Sequence, residues 1–243
     1  MLCVETNNTV TCRLQAKLAP VTAEVAARSR IMGEHANPRA MYKTLLEFLY
    51  SEIRASVPLL VAAEEKAVEL AARGDTVSGA LIDWLRRHII EETDHDMWLL
   101  RDYSRIGGDP VVLADQPGSP SVGAMVGSVY YWTLHAHPVA ILGYAAVLEG
   151  TPPTATFFEC LLRQTGFPPD AFHTLREHSE IDAEHRAELF ALLDNLPLTA
   201  RHEAIISMTA LQTADLLVAI GDELLEAADN QDDLRLRADV SRL

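Results

Sequence analysis

Residues 175–195 read LREHSEIDAEHRAELFALLDN. Leu175, His178, Asp182, His185, Leu189 and Leu192 recur at three- and four-residue steps, the period of one helix face. At 100° per residue the 0, +4, +7 spacing of His178, Asp182 and His185 keeps the three side chains within about a 60° arc. Three ionisable groups therefore share an otherwise apolar stripe. Residues 80–100, ALIDWLRRHIIEETDHDMWLL, repeat the design. Here Leu81, Trp84, His88, Glu92, His95 and Leu99 form the stripe, and His88, Glu92 and His95 keep the same spacing. With 9 histidines and 35 acids in 243 residues, about 0.05 such triples are expected by chance, so two are not an accident of composition.

Ionisable groups on a core stripe cost several kcal/mol each unless they are paired or bound to a metal. A buried histidine–carboxylate network that only sets helix register would compensate them. A transition-metal site would do so as well, since imidazole with carboxylate suits iron, manganese or zinc. Glu-x-x-His on facing bundle helices can hold two metals, and Glu92-Thr93-Asp94-His95 has that form. Such a site calls for acids from further helices. Glu149 is the candidate, closing the apolar run AILGYAAVLEG at the helix end where the dipole disfavours an acid. Counting back from it by turns gives Ala145, Leu142, Pro138, His135 and Tyr131. Glu91 sits about 100° round the helix from Glu92, and Glu92 is the one in phase with His95.

The rest of the chain sets the frame. Its 20 Lys+Arg against 35 Asp+Glu give a net charge of −15, and 49% of it is hydrophobic, enough for one sizeable core. That charge repels phosphate backbones and anionic lipid, which argues against nucleic-acid or membrane partners. Cys3, Cys12 and Cys160 make no disulfide framework, no run approaches the ~18 apolar residues of a membrane span, and MLCVETNN lacks the basic-then-apolar order of a signal peptide. A cytoplasmic protein is expected. Glycine and proline, 12 each, gather in short clusters between helical segments. The expectation is all-α: a single seven-helix domain over 1–243, with frayed tails at 1–12 and 230–243. Residues before about 35 read as ragged. Helices are expected from Pro38 toward Arg73 with a kink at Pro58, from Ser78-Gly79 to Gly107-Gly108, and from Val122 to Gly150 and Pro152-Pro153, interrupted at Pro138. DPVVLADQPGSPS reads as a loop. Further helices follow over ATFFECLLRQT, after an Asp170 cap, and from Thr199 to Ala228.

HIIEETDHDMWLLRDYSRIGGDP (88–110), HAHPVAILGYAAVLEG (135–150) and HSEIDAEHRAELF (178–190) together resemble the heme-oxygenase-like diiron oxidases, also called iron-containing redox enzymes. The resemblance runs from about residue 40 to 220, and His-x3-Asp-x2-His is its most specific element. It implies a heme-oxygenase-like fold whose core helices hold two Fe(II) ions, the second of them weakly bound in relatives, with O2 as co-substrate. Position by position it implies one iron on Glu92, His95 and His178 and the other on Glu149, Asp182 and His185. Three carboxylates and two ferrous ions would leave +1 for oxygen or a substrate carboxylate. Some relatives carry an acid seven residues before the first-helix histidine. This chain has His88 there, which leaves open a ligand, a hydrogen-bond donor to one, or plain core.

The resemblance further implies oxidation of a small amino-acid-like or aliphatic acid substrate in specialised metabolism, by N-oxygenation, desaturation, C–C cleavage or cyclisation. It leaves room for an external electron donor and a homodimer. Tyr130, Tyr131, Trp132, His135 and Tyr144 are candidate pocket walls, or core. Two rivals stay open: a cofactorless relative, thiaminase-like with a core cysteine nucleophile or quinone-cofactor-synthesis-like, and a non-catalytic iron- or partner-binding helical protein.

Overall fold

The computed structural model describes residues 8–150 and 155–240. Among the described residues there are ten α-helical segments, one short 3-10 turn and no strand, so the all-α expectation holds while the count of seven does not. The helices are α1 (Val10–Gly33), α2 (Pro38–Ala71), α3 (Thr76–Glu92), α4 (His95–Arg105), α5 (Pro110–Asp115), α6 (Pro120–His135), α7 (Ala140–Leu148), α8 (Ala155–Thr165), α9 (His173–Asn195) and α10 (Ala200–Val240).

The extra segments have local causes. Residues 10–33, expected to be ragged, form a full helix because Thr9 caps it and Thr11 is tied to Asp194 and the Phe190 carbonyl. Fraying therefore does not reach Thr9–Cys12, and the backbone of α10 stays helical past Ala228 to Val240. α2 runs on through Pro58. The expected loop at 109–121 contains α5, started by Asp109, whose carboxylate accepts from the amides of Val111 and Val112. Asp170 caps nothing. It pairs with Arg105 beside the 3-10 turn Pro169–Phe172, and α9 starts at His173. The stop expected at Pro152-Pro153 lies outside the described residues.

The helix expected across 80–106 divides at Thr93-Asp94. Thr93 is extended and Asp94 takes φ 71°, the one non-glycine residue with positive φ among those described. L-residues visit that region rarely, Asp and Asn more readily than most. The turn sets Glu92 at the end of α3 and His95 at the start of α4.

α7 is buried all round, from Ala140 to Val147, as an innermost helix must be. It reaches α10 at Gly143, where a β-carbon would stand 2.3 Å from the Ile206 carbonyl. That close approach fixes the level at which Glu149, the C-cap of α7, enters the core. Ala200–Gln231 of α10 is long and apolar enough to cross a membrane by length and composition; in this fold it packs on α7, α1, α6 and α2. A second tie joins the elements that carry the histidines: the buried Asp102 of α4 accepts from the Thr174 amide of α9 at 2.8 Å.

Candidate metal centre

His88 is buried on the α3 face it shares with Leu81, Trp84 and Leu85, and its ring stacks on Trp84 at 4.6 Å. One turn on, Glu92 ends the helix. The Asp94 turn then brings His95, 3% exposed, back so that its Nδ1 lies 3.1 Å from Glu92 Oε2. Trp98 covers His95 with a ring separation of 4.0 Å.

On α9, His178 Nδ1 is 2.9 Å from the Thr174 carbonyl. A carbonyl only accepts, so this nitrogen carries the proton and the Nε2 lone pair is left for a metal, the arrangement metal-ligating histidines favour. His185 Nδ1 is buried without a hydrogen bond, 3.8 Å from Glu92 Oε1. Its Nε2 lies 3.5 Å from Glu91 Oε2. The His185 ring is 4.6 Å from that of His88, and His95 is 4.9 Å from His178.

At the end of α7, Glu149 Oε1 accepts from His88 Nε2 at 2.8 Å, while its Oε2 is buried and unpartnered. Glu91, at the rim, lies 3.6 Å from His88 Nδ1 and also faces Arg87.

Two triads of donor atoms result, each with its members within 4.8 Å of one another: His88, Glu92 and His185, and Glu92, His95 and His178. Glu92 belongs to both, and its two oxygens face different histidines. The structure thus brings Glu92, His95 and His178, the residues of the first set implied by the resemblance, within reach of one another. In the other triad His88 stands with His185, with Glu149 on His88 and Asp182 buried on α9 between His178 and His185.

The electrostatics describe several acids packed together with few cations among them. Burial pushes the Asp182 carboxyl up to about 8, with Glu149 and Glu92 adding to the rise and Arg186 opposing it. Burial also works against ionised Glu92, but His95, His178 and His88 outweigh it and hold Glu92 below the usual carboxylate range. Burial lowers His178, helped by His95 and His185. It opposes the charged form of His88 too, but the Glu149 hydrogen bond, Glu92 and Glu91 raise that group overall. The buried unpartnered atoms, Glu149 Oε2 and His185 Nδ1, with three acids and four imidazoles around them, fit divalent cations of the iron, manganese or zinc kind.

His88, Glu92, Glu149, His178, Asp182 and Tyr144 line one cavity of about 270 Å³. Tyr131, 55% exposed, and His135, also exposed, lie outside it on α6. The chain breaks between α6 and α7 at His137-Pro138, so counting turns from Glu149 past Pro138 loses the face. Tyr130 and Trp132 are also absent from the lining, and Trp132 donates to Gln212 instead. The sequence reading missed Glu52 of α2, which lines the cavity with Ser56. Its signal was present: Leu45, Leu49, Glu52, Ser56 and Leu60 keep one helical face.

A third group, Asp75, His137 and His202, has comparable spacing. There both Nδ1 atoms accept backbone N–H groups, from Val139 and from Thr199. Each Nε2 must then carry the proton, which leaves no lone pair for a metal. Asp75 is the N-cap of α3 and His202 reciprocates the Thr199 cap of α10, so this cluster serves helix ends.

A profile of the iron-containing redox enzyme family matches residues 61–217. The match spans about two thirds of the chain and includes every residue of the two triads. No curated protein matches the chain. Among solved structures, it is similar to a domain of unknown function with a heme oxygenase-like fold from Shewanella denitrificans (TM-score 0.67, 19% identity, 89% of each chain). It is also similar to a TenA homolog from Pseudomonas syringae pv. tomato (TM-score 0.68, 14% identity, 90% of this chain and 91% of the other). A CADD-like protein of unknown function from Nostoc punctiforme gives a TM-score of 0.64 at 16% identity, over 90% of this chain and 96% of its own. At these identities the likeness is one of fold, and that fold is heme oxygenase-like.

Proposed function

The chain belongs to the iron-containing redox enzyme family, and from that premise we propose that it is a non-heme diiron oxidase or oxygenase acting on a small amino-acid-like or aliphatic acid substrate. The observation that carries this reading is Glu92, one carboxylate with an oxygen toward His95 and the other toward His185. A single metal would not need a carboxylate shared by two triads.

Glu92, His95 and His178 would hold one ion. His185 would hold the other with Glu149 and Asp182, and His88 is either its further ligand or the donor that orients Glu149. Two ferrous ions, when bound, supply the electrons and open positions that O2 activation requires. The rest is the work of the chain. The Thr174 carbonyl keeps the proton of His178 on Nδ1, so Nε2 is always the free nitrogen. Asp182, whose carboxyl is raised to about 8 by burial, holds its proton in the metal-free protein at neutral pH and would give it up on binding a cation, so metal uptake would release protons. Trp84 and Trp98 cover His88 and His95 against water, and the apolar cavity wall confines the substrate beside the centre. Electrons beyond those of the ferrous pair would come from an external donor.

A thiaminase-like reaction would need a cysteine at the cavity. Cys160 lies elsewhere, its Sγ 3.8 Å from the Gly33 carbonyl, and Cys12 does not line the cavity either. The test is anaerobic titration with ferrous ion followed by O2, with panels of amino acids and aliphatic acids. Uptake of two equivalents per chain and substrate-dependent O2 consumption support the reading. Absence of iron uptake, or uptake with O2 consumption indifferent to every candidate, overturns it.

A further inference from the structure

The cavity has a polar group that the metal centre does not use. Glu52 lies on α2 in the stripe Leu45, Leu49, Ser56 and Leu60, facing the cavity. Among the described residues it makes no hydrogen bond or ion pair, and it belongs to neither metal triad. Beside it Tyr144, 5% exposed, has a buried hydroxyl without a well-formed hydrogen bond. Glu52 is half-buried on a mostly apolar stripe and so partly desolvated, and a hydrogen-bond donor that enters the space it faces would offset that cost.

The charge of the cavity says what that is. Among the described residues the sole Lys or Arg in its lining is Arg28, which is already engaged by Asp222 at 3.1 Å and Glu24 at 3.5 Å. Among the described residues an incoming carboxylate meets no free Lys or Arg in the lining. An incoming ammonium meets Glu52, with the Tyr144 hydroxyl to accept a further hydrogen bond. The remaining wall is mostly apolar, with Phe48, Leu60, Ile141 and Leu217 among its residues, and about 270 Å³ falls just below the ~300–1,000 Å³ typical of ligand pockets.

We infer that Glu52, with Tyr144, is the binding subsite for a protonated primary amine on a compact apolar substrate. This rests on the proposed function for its biological meaning, and it narrows the substrate from amino-acid-like or aliphatic acid to an amine-bearing compound. The ammonium is the shared chemistry, whether it comes from an alkylamine or an amino acid.

The test is calorimetric binding of n-hexylamine, 2-aminohexanoate, hexanoate and 1-hexanol to the full-length protein, with and without anaerobic ferrous ion, for the wild type and Glu52→Gln. A charge-assisted hydrogen bond inside a cavity predicts that the better of the two amines binds about tenfold or more tightly than both the acid and the alcohol, and that Glu52→Gln removes the advantage. The better amine tells an alkylamine source from an amino acid. Hexanoate or hexanol binding as well as the amines, or an amine preference that survives Glu52→Gln, overturns the inference. If the variant does not fold, the wild-type ranking decides alone. Iron uptake is measured in the same samples. Two irons bound without an amine preference sink this subsite and leave the metal reading standing, and an amine preference without iron uptake does the reverse.

Discussion

Asp182→Asn isolates the cost of building the centre before a metal arrives. The Asp182 carboxyl moves from 3.8 in an open chain to about 8 in the folded protein. Below pH 3.8 both states hold the proton and the group is neutral to stability. Between 3.8 and about 8 the unfolded chain ionises while the folded chain does not, so folding takes up a proton and the metal-free protein weakens as pH rises. One unit corresponds to about 1.4 kcal/mol, so the interval from pH 5 to 7 costs about 3 kcal/mol from this residue. Glu52, raised to about 7 by burial, and His88, raised by Glu149 after the opposing effect of burial, act in the same sense. Glu92, held low, acts in the opposite sense as pH falls. Urea unfolding of EDTA-treated wild type and Asp182→Asn from pH 5 to 7 separates Asp182 from the others. The variant should lose about 1.4 kcal/mol less per pH unit, be the more stable protein at pH 7, and bind less iron. Parallel stability curves, or a variant that is weaker at pH 7, would refute the reasoning.

Other residues give sharper local outcomes. Asp94→Val puts a branched side chain at φ 71° and should cost about 1–2 kcal/mol in thermal unfolding, whereas Asp94→Gly should cost little or nothing. Gly143→Ala drives a methyl to 2.3 Å from the Ile206 carbonyl, so α7 must move from α10 at about 1–3 kcal/mol, and chemical denaturation reads it directly. His202→Ala should leave the iron stoichiometry of the wild type unchanged, because its Nδ1 accepts the Thr199 N–H and its Nε2 carries the proton; lost iron would mean that the tautomer argument is wrong. His178→Ala should lower bound iron per chain, and a wild-type value would remove that residue from the centre.

How far the site could be read from sequence followed the continuity of its helices. α9 is unbroken, so periodicity alone aligned His178, Asp182 and His185. α3 and α4 were read as one rod, and Glu92 does meet His95, but through a turn at Asp94 that no apolar pattern announces. The same reasoning failed where it crossed His137-Pro138: Glu149 reached the core, while Tyr131 and His135 were projected inward and stand on the surface. Glu52 escaped notice although it shares a helical face with Leu45, Leu49, Ser56 and Leu60, because α2 carries several acids and the packing of α1, α7 and α10 around it decides which one faces the cavity. Nor could one-dimensional spacing separate the two kinds of histidine cluster, since His137 and His202 differ from His178 in which nitrogen meets the backbone.

The most direct measurement is anomalous diffraction at the iron edge from crystals soaked anaerobically with ferrous ion. Two peaks on either side of the Glu92 carboxylate, one toward His95 and His178 and one toward His185, are the predicted result. A single peak elsewhere, or none between α3, α4, α7 and α9 at saturating iron, would contradict it.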